Sequence, residues 1–233
     1  MRDQSVFGKI AHYLQTEFFQ GSDLFSQRVL LTLYRLVAKG DPVTLEGLSA
    51  AIGADRDLVM EVVGAVPPSR RQYDEAGRII AFAGLSQVPA NHRFMFGDLE
   101  LFTWCAFDAL FLPELLDGTA GISSICPITG SIIRVTASKY GLEVIEPDGA
   151  VMSFVMPDHE SCCADIRGTF CNDVNFFASR QAGEIWLEHN TKAAILSLDE
   201  AFVLGRISNQ ATFKDVLTDQ PGRYDVEAIA VPL

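Results

Sequence analysis

The stretch 44-TLEGLSAAIGADRDLVMEVV-63 contains two helix starts and one helix stop. Thr44 can accept a hydrogen bond from the first free N–H groups of a helix that buries Leu45, Leu48 and Ile52. Gly53 suits the turn that ends it, and Asp55 can cap a second helix burying Leu58, Val59, Val62 and Val63. Two short helices joined this tightly form a helix-turn-helix. Upstream, Val6, Phe7, Ile10, Tyr13, Leu14 and Phe18 recur at helical spacing, as do the apolar residues of 28-RVLLTLYRLVA-38, a run ended by Gly40 and Pro42. Downstream, 72-QYDEAGRIIAFAGL-85 predicts a short hairpin turning over Asp74 to Gly77. Helices followed by a small hairpin resemble a winged-helix domain. Pro89, within 86-SQVPANH-92, marks a linker, so residues 1–88 are expected to form this first domain and residues 89–233 a second.

In the second part, residues 98–112 return to helical spacing, with Asp98 at the start and Pro113 at the end. Leu101, Cys105, Asp108 and Leu112 are expected to share one face of that helix. Short segments rich in β-branched residues follow, at 131-SIIRVTAS-138, 150-AVMSFVM-156, 170-FCNDVNFFAS-179 and 193-AAILSL-198, with helices expected over 181–190 and 199–206. The fold class is therefore α+β: a winged-helix-like helical domain, then a mainly antiparallel β domain with packed helices.

Nearly half the residues, 48%, are hydrophobic, enough for a sizeable core. The net charge of -12 is uneven: residues 1–88 carry nine Lys/Arg and ten Asp/Glu, and residues 89–233 carry nine and twenty. Nucleic acid needs basic groups against its phosphates, so it is not expected as a partner. The second helix of the helix-turn-helix points the same way, because Asp55, Asp57 and Glu61 outnumber Arg56 on it. No apolar run reaches the roughly 18 residues of a membrane span and no signal peptide is visible, so a cytoplasmic location is expected, without membrane attachment. Nucleotide-binding glycine motifs are absent, which argues against nicotinamide or flavin chemistry.

All five cysteines, Cys105, Cys126, Cys162, Cys163 and Cys171, fall in one window, and an odd number without an export signal suggests thiol or metal chemistry before disulfides. The local cluster 159-HESCC-163 is read as a solvated loop with incidental thiols. Cys105 alone would be an ordinary small buried hydrophobe. Asp108 on the same apolar stretch is harder to explain, since a buried carboxylate costs several kcal/mol unless paired or protonated. Flanked by Leu101, Trp104 and Leu112, its pKa should rise, leaving a proton to deliver near neutrality. A thiolate beside it favours soft metals, and two thiolates on one metal push electron density onto any carbon bonded to that metal.

In order along the chain, 104-WCAFDALFLP-113, 123-SSICPITG-130, 165-DIRGTFCNDVNFFAS-179, Trp186 and 195-ILSLDEAFVLG-205 resemble the organomercurial (alkylmercury) lyases. The resemblance runs over roughly residues 90–206 and agrees with a winged-helix-like N-terminus. It implies an enzyme that cleaves carbon–mercury bonds of alkyl- and arylmercury compounds by protonolysis, giving a hydrocarbon and Hg(II). It also implies Cys105, Asp108 and Cys171 as the catalytic and Hg(II)-holding set, with Cys126 structural and Trp104 lining the site. No separate cofactor is implied; low-molecular-weight thiols and a mercuric reductase would take the product. Two departures stand out: Asn172 replaces a cysteine that some members carry, and 158-DHESCCA-164 looks inserted, with thiols whose role the resemblance does not assign. A mercury-responsive helix-turn-helix regulator would instead show salt-sensitive DNA binding. A non-catalytic soft-metal carrier would leave Asp108 without a role.

Overall fold

The computed structural model describes residues 5–18 and 22–217. Helix α1 (Val6–Tyr13) runs into a π-helical segment (Leu14–Phe18), followed by α2 (Leu24–Val37), α3 (Leu45–Ile52) and α4 (Arg56–Ala65). The expected caps are present: Thr44 Oγ1 accepts from Gly47 N–H at 3.0 Å, Asp55 Oδ1 accepts from Asp57 N–H at 2.8 Å, and Gly53 adopts φ 70°. The hairpin forms as β1 (Arg71–Tyr73) and β2 (Ile79–Phe82), and Val43 bridges to Ile79 to complete a small wing. Exposed Asp55, Asp57 and Glu61 decorate α4, whose Leu58 is exposed rather than buried as expected, and its Arg56 is held by Glu46 at 2.6 Å.

The wing is continuous with the main sheet. Strand β3 (Leu85–Ser86) joins it to β4 (His92–Phe96) and β5 (Leu99–Thr103). Helix α5 (Ala106–Leu115) follows, then β6 (Ala120–Ile125), β7 (Ile132–Ser138) and β8 (Gly141–Glu146). Among the described residues these strands form one eight-stranded antiparallel sheet in the order β1-β2-β3-β5-β4-β6-β7-β8. After β9 (Val151–Phe154) come two short helices, α6 (His159–Ala164) and α7 (Ile166–Thr169), then β10 (Phe176–Phe177), α8 (Arg180–Leu187), β11 (Ala194–Ser197) and the long α9 (Leu198–Phe213). β9 is the centre of a second, three-stranded antiparallel sheet, β10-β9-β11. The architecture is α+β, with the helical unit first.

Three local expectations are corrected. Residues 99–103 form a strand, not the first turns of a helix: Gly97, at φ 58°, makes a two-residue turn with Asp98, so Leu99–Thr103 folds back on β4. Leu101 is thus a sheet residue, and Pro113 does not end α5. Proline there removes one backbone donor, yet every residue of Ala106–Leu115 is buried, and packing outweighs the loss. The segment 158–164 is a helix rather than a solvated loop, because Asp158 caps it through Ser161 N–H at 2.9 Å and Cys162 is buried.

α5 lies against α9, with Gly205 close to Phe111 at the crossing. Between them, Arg206 Nε lies 3.2 Å from Glu114 Oε1, and Asn209 Nδ2 donates to Glu114 Oε2 at 2.8 Å and to Phe111 O at 3.0 Å. Both charges are buried, so removing one is costlier than removing both. Arg206→Met should destabilise the fold by about 3–5 kcal/mol in denaturant unfolding, and adding Glu114→Leu should restore much of that loss. Equal losses in the single and double variants would show that the pair is not coupled.

Candidate active site

The site begins at the N-terminus of α5. Cys105 is the N-cap residue, and Asp108, three residues on, turns its carboxylate back to accept the Cys105 N–H at 2.9 Å. The pair occupies the positions of a capping box, with cysteine where serine or threonine usually stands. One turn of helix therefore brings thiol and acid together without further support. Backbone contacts fix this corner: Trp104 N–H donates to Gly84 O at 3.0 Å, and Ala106 N–H donates to Val174 O at 3.0 Å.

That last bond ties α5 to the segment carrying Cys171. The sequence reading places Cys171 in a strand; it lies instead in a 3-10 turn, Cys171–Asp173, directly after α7. Ser153 of β9 decides the shape: its Oγ donates to Asp173 O at 2.7 Å and accepts from Asn175 N–H at 2.9 Å, holding the loop bent. The bend turns Cys171 onto Cys105. Ligand atoms of Cys105, Asp108 and Cys171 all lie within 4.8 Å of one another, and the residues are only 0%, 7% and 2% exposed. Cys126 is buried at the end of β6 and does not join this cluster.

The walls come from both halves of the chain. A narrow pocket is lined by Asp108 and Cys171 together with Arg70, Gly84, Trp104 and Phe170 among others. Gly84, at φ 106°, has no room for a side chain, since a Cβ there would fall on the Asp108 carboxyl. Arg167 stacks its guanidinium 4.3 Å from the centre of the Trp104 ring, so Trp104 bounds the site as expected. Behind this wall, Tyr34 of α2 donates to the O atom of the lining residue Ala83 at 2.9 Å. Arg70, Gly84, Arg167 and Tyr34 were not singled out by sequence reasoning. For Gly84 a signal existed: with Ala83 it forms the two-residue turn between β2 and β3, where a backbone at positive φ favours glycine.

Burial controls the protonation states. It pushes Asp108 up to about 7, against the opposing pull of the hydrogen bonds from Cys105 and the charges of Arg70 and Arg167. It also pushes the Cys105 thiol well up, helped by its hydrogen bond with Cys171 and by the negative charge of Asp108. Because the folded value for Asp108 lies above its ordinary 3.8, the folded chain binds this proton more tightly than the unfolded one. The associated stability is fully present below the ordinary value and is lost as pH rises through about 7. Between pH 4 and pH 8, the stability difference should therefore shift in favour of Asp108→Asn by a few kcal/mol, read from denaturant midpoints. A pH-independent difference would mean that the carboxyl is not desolvated.

A buried cluster of two thiols and an acid, set in this fold, can be compared with known proteins. A family model described as alkylmercury lyase matches residues 85–209, and one described as the helix-turn-helix domain of alkylmercury lyase matches residues 9–83. The alkylmercury lyase of Streptomyces lividans is 39% identical over 198 residues, 84% of this chain and 89% of that protein. That of Staphylococcus epidermidis is 36% identical over 193 residues, 83% of this chain and 87% of that protein. The crystal structure of the mercury-bound form of MerB2 superposes with a TM-score of 0.71 at 26% identity, covering 88% of this chain and 98% of that one. With both of its regions matched in order and relatives this similar over most of their length, the chain belongs to the alkylmercury lyase family.

Proposed function

We propose that this protein cleaves the carbon–mercury bond of alkyl- and arylmercury compounds by protonolysis, with Cys105 and Cys171 as the mercury-binding thiolates and Asp108 as the proton carrier. One observation carries this reading: two thiols and a carboxyl with a pKa near neutrality share a buried corner within 4.8 Å. Sulfur is the preferred ligand for so soft a metal, and an oxygen-only or histidine-rich site would not select it.

The steps follow from the protonation states. The organomercury cation, arriving on a small thiol, passes to one of the two cysteines, and the small thiol leaves with that cysteine's proton. Asp108, as the anion, then accepts the proton of the second cysteine, so that both sulfurs bind mercury. Their electron density moves onto the metal-bound carbon, which becomes basic enough to take the proton back from Asp108. The C–Hg bond breaks heterolytically, R–H departs, and Hg(II) stays on the two sulfurs and an oxygen of Asp108. A carboxyl with an ordinary pKa would be too weak a base to take the thiol proton; one near 7 can both take and give it.

The scheme needs no cofactor beyond external thiols, which remove Hg(II) and hand it to a dithiol acceptor such as a mercuric reductase. It suits the reducing cytoplasm, since all five cysteines are free thiols. Among the described residues, no helix is long and apolar enough to cross a membrane. Headspace gas chromatography of pure protein with methylmercury and excess cysteine is the test: methane must appear catalytically, and binding of methylmercury without methane would leave a soft-metal carrier.

A further inference from the structure

We propose that Cys163, with His159 beside it, forms a second mercury site, a single-thiolate station that captures the organomercury cation in an outer cavity before it passes to Cys105 and Cys171. The inference rests on the lyase reading above and adds a binding step to it. Helix α6 separates its adjacent thiols. Cys162 points inward, where its Sγ lies 4.0 Å from the Tyr13 hydroxyl, whereas Cys163 is half-buried with its Sγ 3.4 Å from His159 Nε2. Ser69 Oγ donates to Cys163 O at 2.9 Å, and the Asp158 cap holds the other end of the helix, so the pair is presented on an anchored turn.

Cys163 and His159 line an open cavity, whose other walls include Tyr34, Pro67, Phe82 and Phe213. Arg70 and Ala83 line this cavity and the catalytic pocket alike, so the two spaces share a wall. Thiolate with imidazole is a donor set for a soft cation and a poor one for Mg2+ or Ca2+. The aromatic walls suit an alkyl or aryl group on that cation. Cys105 and Cys171 are almost sealed, at 0% and 2% exposure, which leaves Cys163 as the thiol open to an incoming adduct.

Capture is a thiol exchange. The bond between mercury and the small thiol's sulfur breaks as the Cys163 Sγ–Hg bond forms, and the Cys163 proton moves through His159 to the departing thiolate. Transfer repeats the exchange inward: a catalytic cysteine takes mercury, and its proton returns to Cys163. No oxidation state changes, and the organic group stays on mercury until protonolysis.

Steady-state kinetics with the methylmercury–cysteine adduct tests the station in the full-length enzyme. Holding the cation beside the site raises its effective concentration, so Cys163→Ser should lower kcat/KM roughly tenfold and leave kcat unchanged. Cys163→Ala should match it, and His159→Gln should move kcat/KM in the same direction by less. In a Cys105→Ser/Cys171→Ser background, one equivalent of methylmercury should survive gel filtration and be lost on adding Cys163→Ser. Unchanged kcat/KM, a fall in kcat in step with it, or retention of that equivalent would overturn the station. If the wild type releases methane while Cys163→Ser is kinetically silent, only the station fails; if the wild type releases none, the lyase reading fails first.

Discussion

Cys105→Ser, Cys171→Ser and Asp108→Asn should each slow methane release from methylmercury by at least about 10²–10⁴-fold, while methylmercury still binds to the remaining thiols. The serine variants keep shape and a hydroxyl but lose the soft donor. One sulfur then holds the metal alone, and the carbon is not made basic enough to be protonated. Asp108→Asn tests a different part of the scheme. The amide oxygen can still accept the Cys105 N–H that the carboxylate accepts at 2.9 Å, so the α5 corner should keep its form. It carries no exchangeable acid proton, so the variant should bind the organomercurial on one thiol and stop there. Wild-type turnover by Cys171→Ser would remove that residue from the mechanism.

Gly84→Ala should be nearly as damaging although no atom of Gly84 takes part in the chemistry. Its φ of 106° is closed to ordinary side chains, so alanine strains the backbone by about 1–3 kcal/mol. The added Cβ would also overlap Cγ and Oδ1 of Asp108 and must push the carboxyl aside. A displacement of about 1 Å in a proton-transfer group costs on the order of 10²-fold. The expected result is a folded protein, less stable in urea, with kcat reduced by about that factor and methylmercury binding retained. Full activity in Gly84→Ala would show that the carboxyl has more freedom than this packing allows.

Much of the fold could be read from local chemistry, because the deciding groups are near in sequence. Thr44, Gly53 and Asp55 cap and end their helices by contacts within three residues or so, and the wing turn from Asp74 to Gly77 is equally local. The Cys105–Asp108 pairing survived a wrong element assignment, since three residues separate N-cap from N3 as they separate neighbours on a helix face. The apolar positions of Leu99–Thr103 fit both periods, and the partner that settles the strand, β4, lies across a turn. Cys171 is a harder case. Its turn is imposed by Ser153 from another strand, and only the resemblance of 165-DIRGTFC-171 to a known motif pointed to it. Tyr34, Arg70 and Gly84 lie in the part expected to be a separate winged-helix unit, whose wing is continuous with the catalytic sheet and closes over the acid. The helix His159–Ala164 is too short to show a period, so sequence alone gives no position for its two thiols.

The central claim is that a buried carboxyl carries a thiol proton to the mercury-bound carbon, and a single turnover in D2O tests it most directly. Protein equilibrated in D2O and mixed with one equivalent of methylmercury should release one equivalent of CH3D, leave one Hg(II) bound, and do neither when Asp108 is replaced by Asn. Unlabelled methane, ethane from coupled methyl radicals, or full-rate CH3D from Asp108→Asn would contradict it.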